Sequence, residues 1–316
     1  MTRDDLIARV RAGDPRAIAR AISLVENETS DAAPLIAALH PHAGRSWLVG
    51  LTGPPGAGKS TLVDRLASRW RAQGHRVGII AVDPTSPFTG GALLGDRVRM
   101  QQHAGDRGLF IRSMATRGHL GGLARATGDA AIVLDAAGFE RILIETVGVG
   151  QDEVDVVRAA DVSVVVLVPG TGDEVQALKA GLMEIADVYV INKADRDGAD
   201  RAAADVEAML ALHPLASGAW RPPVLRTTAT SGEGVEALAT AIEAFRAQAG
   251  ALAEARRRER AALRVRDLLI RGFLARLDEA VLHPGEFDAL VERVARRDLD
   301  PHAAAALVLA RALAGR

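Results

Sequence analysis

Gly53-Pro54-Pro55-Gly56-Ala57-Gly58-Lys59-Ser60 lies between an apolar run, Trp47–Thr52 (WLVGLT), and a helix-like stretch, STLVDRLASRW, that begins at Ser60. The pattern G-x-x-x-x-G-K-[ST] between a strand and a helix is that of a phosphate-binding loop. Glycines let successive backbone N–H groups converge on phosphate oxygens, and the helix N-terminus adds the positive end of its dipole. Lys59 is then the point charge for the β- and γ-phosphates. The Ser60 hydroxyl is a ligand for Mg²⁺, and Thr61 is the next nucleotide contact along the helix.

Outward from this loop, residues 46–250 alternate apolar runs with helical stretches. The strands predicted are Trp47–Thr52, Arg76–Val82, Leu109–Arg112, Arg141–Glu145, Val162–Val168, Val188–Asn192 and Val224–Thr227. Most are near-continuous Val, Ile and Leu, as parallel strands covered on both faces must be. Helices are expected between them, for instance Ser60–Gln73 and Gly198–Leu212. The fold class is therefore α/β: a P-loop NTPase with a mostly parallel sheet sandwiched by helices, ligands sitting where the strands end.

Residues 1–45 read as a helical N-terminal extension. Asp14 caps a helix with Pro15 at its first position that runs to Glu26, and a second helix covers 31–40. Residues 251–316 carry no strand signal. Leu263, Leu268–Ile270, Leu274, Leu277 and Val281 form an apolar stripe on a long helix stopping near His283-Pro284-Gly285, and two helices follow, 286–296 and 301–314.

Composition narrows the function. In 316 residues, Lys+Arg 39 against Asp+Glu 40 gives a net charge of −1, which offers no electrostatic footprint for nucleic acid or an anionic membrane. The absence of cysteine excludes disulfides, thiolate catalysis and iron–sulfur ligation together. No apolar run approaches the roughly 18 residues of a spanning helix. MTRDDLIARV has acids where a signal peptide is apolar, so a cytoplasmic location is expected. Only Lys59, Lys179 and Lys193 are lysine, and two of these sit in nucleotide motifs.

Two strands end in acids. Asp83 follows the second strand and Glu145 closes the fourth, ahead of Thr146-Val147-Gly148. A carboxylate in that position beside a phosphate loop holds Mg²⁺ directly or through water, and the Gly148 amide can sense a γ-phosphate. Asp96, in the glycine-rich stretch TGGALLGDRVRM, joins them if that loop folds over the nucleotide. The metal candidates are thus Ser60, Asp83, Asp96 and Glu145; the catalytic candidates are Lys59, Asp96 and Glu145. Val149, not glutamine, follows Gly148, which points to slow intrinsic hydrolysis.

Asn192-Lys193-Ala194-Asp195, directly after an apolar strand, is the guanine signature N-K-x-D. Asp195 accepts from N1–H and the 2-amino group, a pair that adenine lacks. The Lys193 stem packs over the purine, and Asn192 ties neighbouring loops together. Thr228 to Gly234 form a small-residue turn in which the Ala229 N–H is the expected donor to guanine O6, with Thr230 beside it; an ordinary strand-to-helix turn reads equally well.

Over nearly its whole length the chain resembles the MeaB/ArgK family of P-loop GTPases. The stretches that carry this are GPPGAGKST (53–61), VDPTSPFTGGALLGDRVRM (82–100), RSMATRGHLGGLA (112–124), ETVGVGQDEVDV (145–156), PGTGDEVQALKAGLMEIADVYVINKAD (169–195) and SGEGV (231–235). The resemblance implies a GTP/GDP- and Mg²⁺-dependent chaperone of adenosylcobalamin-dependent acyl-CoA mutases such as methylmalonyl-CoA mutase. It implies that 84–100 and 146–156 are switches, and that 169–179, ending at Lys179, reports nucleotide state to the mutase. It also implies that 251–316 is a dimerisation arm, making the protein a homodimer. Three other readings stay open. A nickel-insertion GTPase would need Cys/His ligands, and of the eight His only His40 and His42 are close. An ATP-dependent kinase of amino-acid (arginine/ornithine) transport conflicts with N-K-A-D. An assembly module that binds GTP without appreciable hydrolysis is compatible with Val149.

Overall fold

Val162 to Leu167 is buried at every position because alternate side chains enter two different cores. Val162, Val164 and Val166 face one layer of helices; Val165 and Leu167 face another. The computed structural model of the chain describes residues 1–83, 105–115, 122–146, 160–170, 186–212 and 219–314. Strands β1 (Trp47–Thr52), β2 (Val77–Asp83), β3 (Leu109–Ala115), β4 (Arg141–Glu145), β5 (Val162–Leu167), β6 (Val188–Asn192) and β7 (Val224–Thr227) form one seven-stranded sheet. Its order is β3-β2-β4-β1-β5-β6-β7, with every neighbouring pair parallel.

The α/β expectation holds, with shifts at three strands. β2 starts at Val77 and takes in Asp83, β3 continues past Arg112 to Ala115, and β5 ends at Leu167, one residue short of Val168. The β2–β3 register pairs Val82 with Met114 and Asp83 with Ala115. Ladder pairing thus carries the strand through Arg112-Ser113, where the apolar pattern breaks.

One face of the sheet is covered by α4 (Lys59–Ala72) and α7 (Val235–Gln248), whose Leu62, Leu66, Trp70, Leu238, Ile242 and Phe245 form a core with strand residues such as Val49, Leu51, Ile79, Val164 and Val190. The other face is covered by α5 (Gly122–Ala136) and α6 (Ala199–Ala211). The N-terminal helices α1 (Arg3–Arg11), α2 (Pro15–Glu26) and α3 (Ala32–Leu39) share the α5 core through Leu6, Val10, Ile18, Ile22, Leu35 and Leu39. The Asp14 carboxylate caps α2 by accepting from the amides of Arg16 (2.8 Å) and Ala17 (3.2 Å). Helix α1 is distinct from α2 within the helical extension; Thr2 caps it, accepting from the Asp5 amide at 3.2 Å. Asp135 on α5 accepts from the amides of Gly44, Arg45 and Ser46, fixing the extension to the entry of β1.

The chain divides into two compact units, Met1–Arg256 and Arg257–Arg316. The second contains α8 (Gly250–Ala280) from Arg257 onward, α9 (Glu286–Ala295) and α10 (Pro301–Ala314). Arg311 pairs with Glu286 at 2.7 Å across α10 and α9. Leu277 is buried, while Leu268, Leu269, Ile270, Phe273 and Leu274 are exposed. Among the described residues no helix is long and apolar enough to cross a membrane.

Candidate functional site

The loop after β1 is shaped by two glycines that no other residue can replace cheaply. Gly53 has φ +141, and a Cβ there would lie 2.0 Å from the Val166 carbonyl oxygen of β5. Gly58, the residue before α4, has φ +86, and its Cβ would lie 2.3 Å from Asn192 Nδ2. Gly56 is also left-handed, at φ +74, and the Ala57 amide donates to the Pro54 carbonyl at 3.2 Å, closing the turn that Pro54 and Pro55 lead. Lys59 is buried at 5% exposure, and its Nζ donates to the Gly53 (2.6 Å) and Pro54 (2.9 Å) carbonyls. The loop is therefore wrapped around its own ammonium, which leaves that charge at the start of α4, where the helix dipole also favours an anion.

Ser60 follows on the first turn of α4, with Thr61 next to it, half-buried. The Ser60 hydroxyl donates to Glu145 Oε1. This contact arises from the sheet order: β1 and β4 are neighbours, Leu51 is in register with Glu145, and the Thr146 amide donates to Leu51 O at 3.1 Å. Glu145 is itself buried. A hydroxyl and a carboxylate oxygen meeting at the mouth of a phosphate loop are hard donors of the kind that Mg²⁺ takes. Asp83 closes β2, the next strand beyond β4, with Ala81 level with Glu145. Asp96 and Gly148 lie outside the described residues, as do the switch segments 84–100 and 147–156 and residues 171–179.

On the other side of β1, the end of β6 supplies the base-reading residues. Asn192 is buried and makes three contacts: its Nδ2 donates to Ala57 O (2.7 Å), and its Oδ1 accepts from Thr227 Oγ1 (3.0 Å) and from the Ala229 amide (3.1 Å). It thereby fastens the phosphate loop, β6 and the turn after β7 together. Lys193 adopts φ +58, and the Ala194 amide donates to Thr227 O at 3.0 Å, turning the chain so that Asp195 is exposed. The Ala229 N–H, expected to meet guanine O6, donates here to Asn192 Oδ1, a buried amide oxygen that it satisfies together with Thr227. Thr230, the next residue, is exposed.

One contact had no signal in the sequence. Arg65, two turns into α4, donates Nε to Ala229 O at 2.9 Å and Nη2 to Thr230 O. It belongs to no motif and is one arginine among many.

The model of the family described as methylmalonyl Co-A mutase-associated GTPase MeaB matches residues 18–281. A candidate GTPase of Pyrococcus abyssi is 51% identical over 317 residues, covering 99% of this chain and 97% of that one. GTPase ArgK of Escherichia coli K12 is 38% identical over 247 residues, 76% of this chain and 75% of that one. The mouse methylmalonic aciduria type A homolog, mitochondrial, is 43% identical over 206 residues, 64% of this chain and 50% of that one. A crystal structure of a LAO/AO transport system kinase superposes with a TM-score of 0.71 at 26% identity, covering 97% of this chain and 96% of that one. A phosphate loop whose serine meets a strand-end glutamate, an N-K-A-D turn tied to that loop, and a family match spanning most of the chain lead to one conclusion: this protein belongs to the MeaB family of methylmalonyl-CoA mutase-associated GTPases.

Proposed function

We propose that the protein is a cytoplasmic, homodimeric, GTP-driven gate for an adenosylcobalamin-dependent acyl-CoA mutase of the methylmalonyl-CoA mutase type. The observation that carries the reading is the Ser60–Glu145 contact, which joins the phosphate loop to the acid that opens the E-x-x-G segment. Any change in what that hydroxyl binds is felt by a residue leading straight into a segment that the family resemblance makes a switch.

In this reading the loop amides and the Lys59 ammonium bind the β- and γ-phosphates and oppose the negative charge of the transferring phosphoryl group. Phosphate oxygens compete with the Gly53 and Pro54 carbonyls for Lys59. Ser60, Glu145, Asp83 and Asp96 would hold Mg²⁺, which when bound neutralises charge on the β- and γ-oxygens. Asp195 selects guanine, and Lys193 covers the ring. The gate works only if the γ-phosphate binds one arrangement of the switches more tightly than the other. The exposed apolar residues of α8, Leu268, Leu269, Ile270, Phe273 and Leu274, would meet a second copy of the chain.

The test is hydrolysis of GTP and of ATP by the purified protein, alone and with a B12-dependent acyl-CoA mutase from the same source. Slow turnover selective for GTP that rises with the mutase is the expected result. Selectivity for ATP would instead favour the transport-kinase reading, and turnover indifferent to any mutase would remove the partner.

A further inference from the structure

We infer that Arg65 is a positioning residue for base recognition: from the phosphate-loop helix it holds the Ala229–Thr230 peptide so that the Thr230 N–H is the donor offered to the O6 of a guanine base. The inference rests on the guanine reading of Asn192 to Asp195 and adds a residue and a donor to it.

The argument begins with the peptide unit. It is planar and trans, so its C=O and N–H point in opposite directions. Arg65 Nε fixes the Ala229 carbonyl at 2.9 Å, and Nη2 fixes the Thr230 carbonyl. With the Ala229 carbonyl drawn onto α4, the N–H of the same unit, that of Thr230, must face away from α4. The amides on either side of it in the turn are committed. Ala229 N–H goes to Asn192 Oδ1, Ser231 N–H (3.1 Å) and Gly232 N–H (2.9 Å) go to Thr228 O, and Thr228 N–H goes to Glu233 O at 3.0 Å.

Those bonds hold Thr228 and the Ala229 amide and leave the peptide unit between Ala229 and Thr230, the tip of the turn, to be oriented by Arg65. The bracing closes a circuit: α4 holds the tip through Arg65, the tip holds Asn192 through the Ala229 amide, and Asn192 Nδ2 returns to Ala57 O in the loop that opens α4. A planar guanidinium suits this task because it donates two bonds in a fixed fork to adjacent carbonyls; a lysine ammonium is a rotatable point charge that sets no such angle between them. One turn further along α4, Arg69 pairs with Glu236 on α7, a separate tie that does not touch the tip.

Guanine O6 accepts a hydrogen bond where adenine presents an amino group that donates. A fixed N–H at this place rewards the first and leaves the second with two donors facing each other. Loosening the tip therefore costs guanine affinity and relieves adenine.

The experiment measures dissociation constants for GDP and ADP, and KM and kcat for GTP, in the full-length protein and in Arg65→Ala, Arg65→Lys and Arg69→Ala. Arg65→Ala is expected to weaken GDP roughly tenfold, the worth of about one hydrogen bond to a charged donor. ADP affinity should hold or improve, and KM for GTP should rise with kcat little changed. Arg65→Lys should fall between, and Arg69→Ala should keep the wild-type ratio of GDP to ADP affinity. Wild-type discrimination in Arg65→Ala would overturn the inference while leaving the guanine reading intact. So would equal losses for GDP and ADP with a matching fall in melting temperature, since Arg65 would then be a structural brace. A wild-type protein with no preference for GDP over ADP would overturn the guanine reading itself, and the inference with it.

Discussion

Replacing Arg256 by methionine should cost the first unit about 3 kcal/mol at neutral pH, and less in acid. Arg256, in the first turns of α8, donates Nη1 and Nη2 to the two carboxylate oxygens of Asp187, at 2.7 and 2.8 Å, and Nη1 also reaches Asp161 O at 3.2 Å. Asp187 opens the path into β6, accepts from the Ser163 amide of β5 at 2.8 Å, and is 5% exposed against 26% for Arg256. Methionine keeps the stem and removes the charge, so the variant leaves a carboxylate buried beside one amide. Breaking a buried pair from one side costs roughly 3–5 kcal/mol, and the partly exposed guanidinium argues for the low end. At about 2–4 °C per kcal/mol for a unit of this size, the melting temperature should fall roughly 6–12 °C.

The pH dependence carries the sharper test. Burial pushes the Asp187 carboxyl above its ordinary range, opposed by Arg256 and the Ser163 amide. A group whose folded pKa is raised contributes stability at low pH and loses it as pH rises through the folded value. Removing Arg256 raises that value further. The gap between wild type and Arg256→Met should therefore be widest at pH 7 and narrow as the pH is lowered to about 4, because protonation of the raised carboxyl removes the unpaired charge. Adding Asp187→Asn should recover most of the loss at pH 7, because the amide oxygen still accepts from Ser163 and no charge stays buried. Urea melts followed by tryptophan fluorescence read this unit directly: Trp47, Trp70 and Trp220 all lie in it, and Trp220 Nε1 donates to Asp187 O. A loss under about 1 kcal/mol, or one equal at both pH values, would refute the account of a carboxylate held ionised by its partner.

The remaining tests address the nucleotide site and the two units. Lys59→Ala should abolish tight GTP binding in a fluorescent-nucleotide titration; unchanged affinity would remove the phosphate-loop assignment. Asp195→Asn should move preference from GTP toward xanthosine triphosphate in competition binding, since the asparagine amide complements a 2-oxo group. Asp135→Ala should cost about 2 kcal/mol in denaturant melts, because three backbone amides lose their acceptor. Leu269→Glu, at a position 67% exposed, should leave folding unchanged and turn a dimer into a monomer in sedimentation velocity; a dimer that survives places the interface elsewhere.

Why some of this was legible in the sequence and some was not follows from the distances over which each signal acts. The strands and the phosphate loop are local. WLVGLT, the glycines at 53, 56 and 58 and the helix behind them each declare themselves within a few residues, because period, φ and capping are properties of neighbours along the chain. Even the error at β3 is local in origin: Arg112-Ser113 breaks the apolar run, and only pairing with Val82 and Asp83 carries the strand onward. N-K-A-D is equally local, but its geometry is not. That Asn192 spends its oxygen on the Ala229 amide depends on β6 and β7 lying side by side in register, Asn192 against Thr227. An amide reserved in that way cannot be read from TTATSGEG. The arginines are the extreme case. Arg65 reaches carbonyls 164 and 165 residues away, and Arg256 a carboxylate 69 residues away, and nothing around either distinguishes it from the other arginines of the chain. The residues that chemistry must place against phosphate are marked by type and spacing. Those that hold such residues in place are free to come from any helix that passes near, so the bracing of a site is written in the fold before it is visible in the motif.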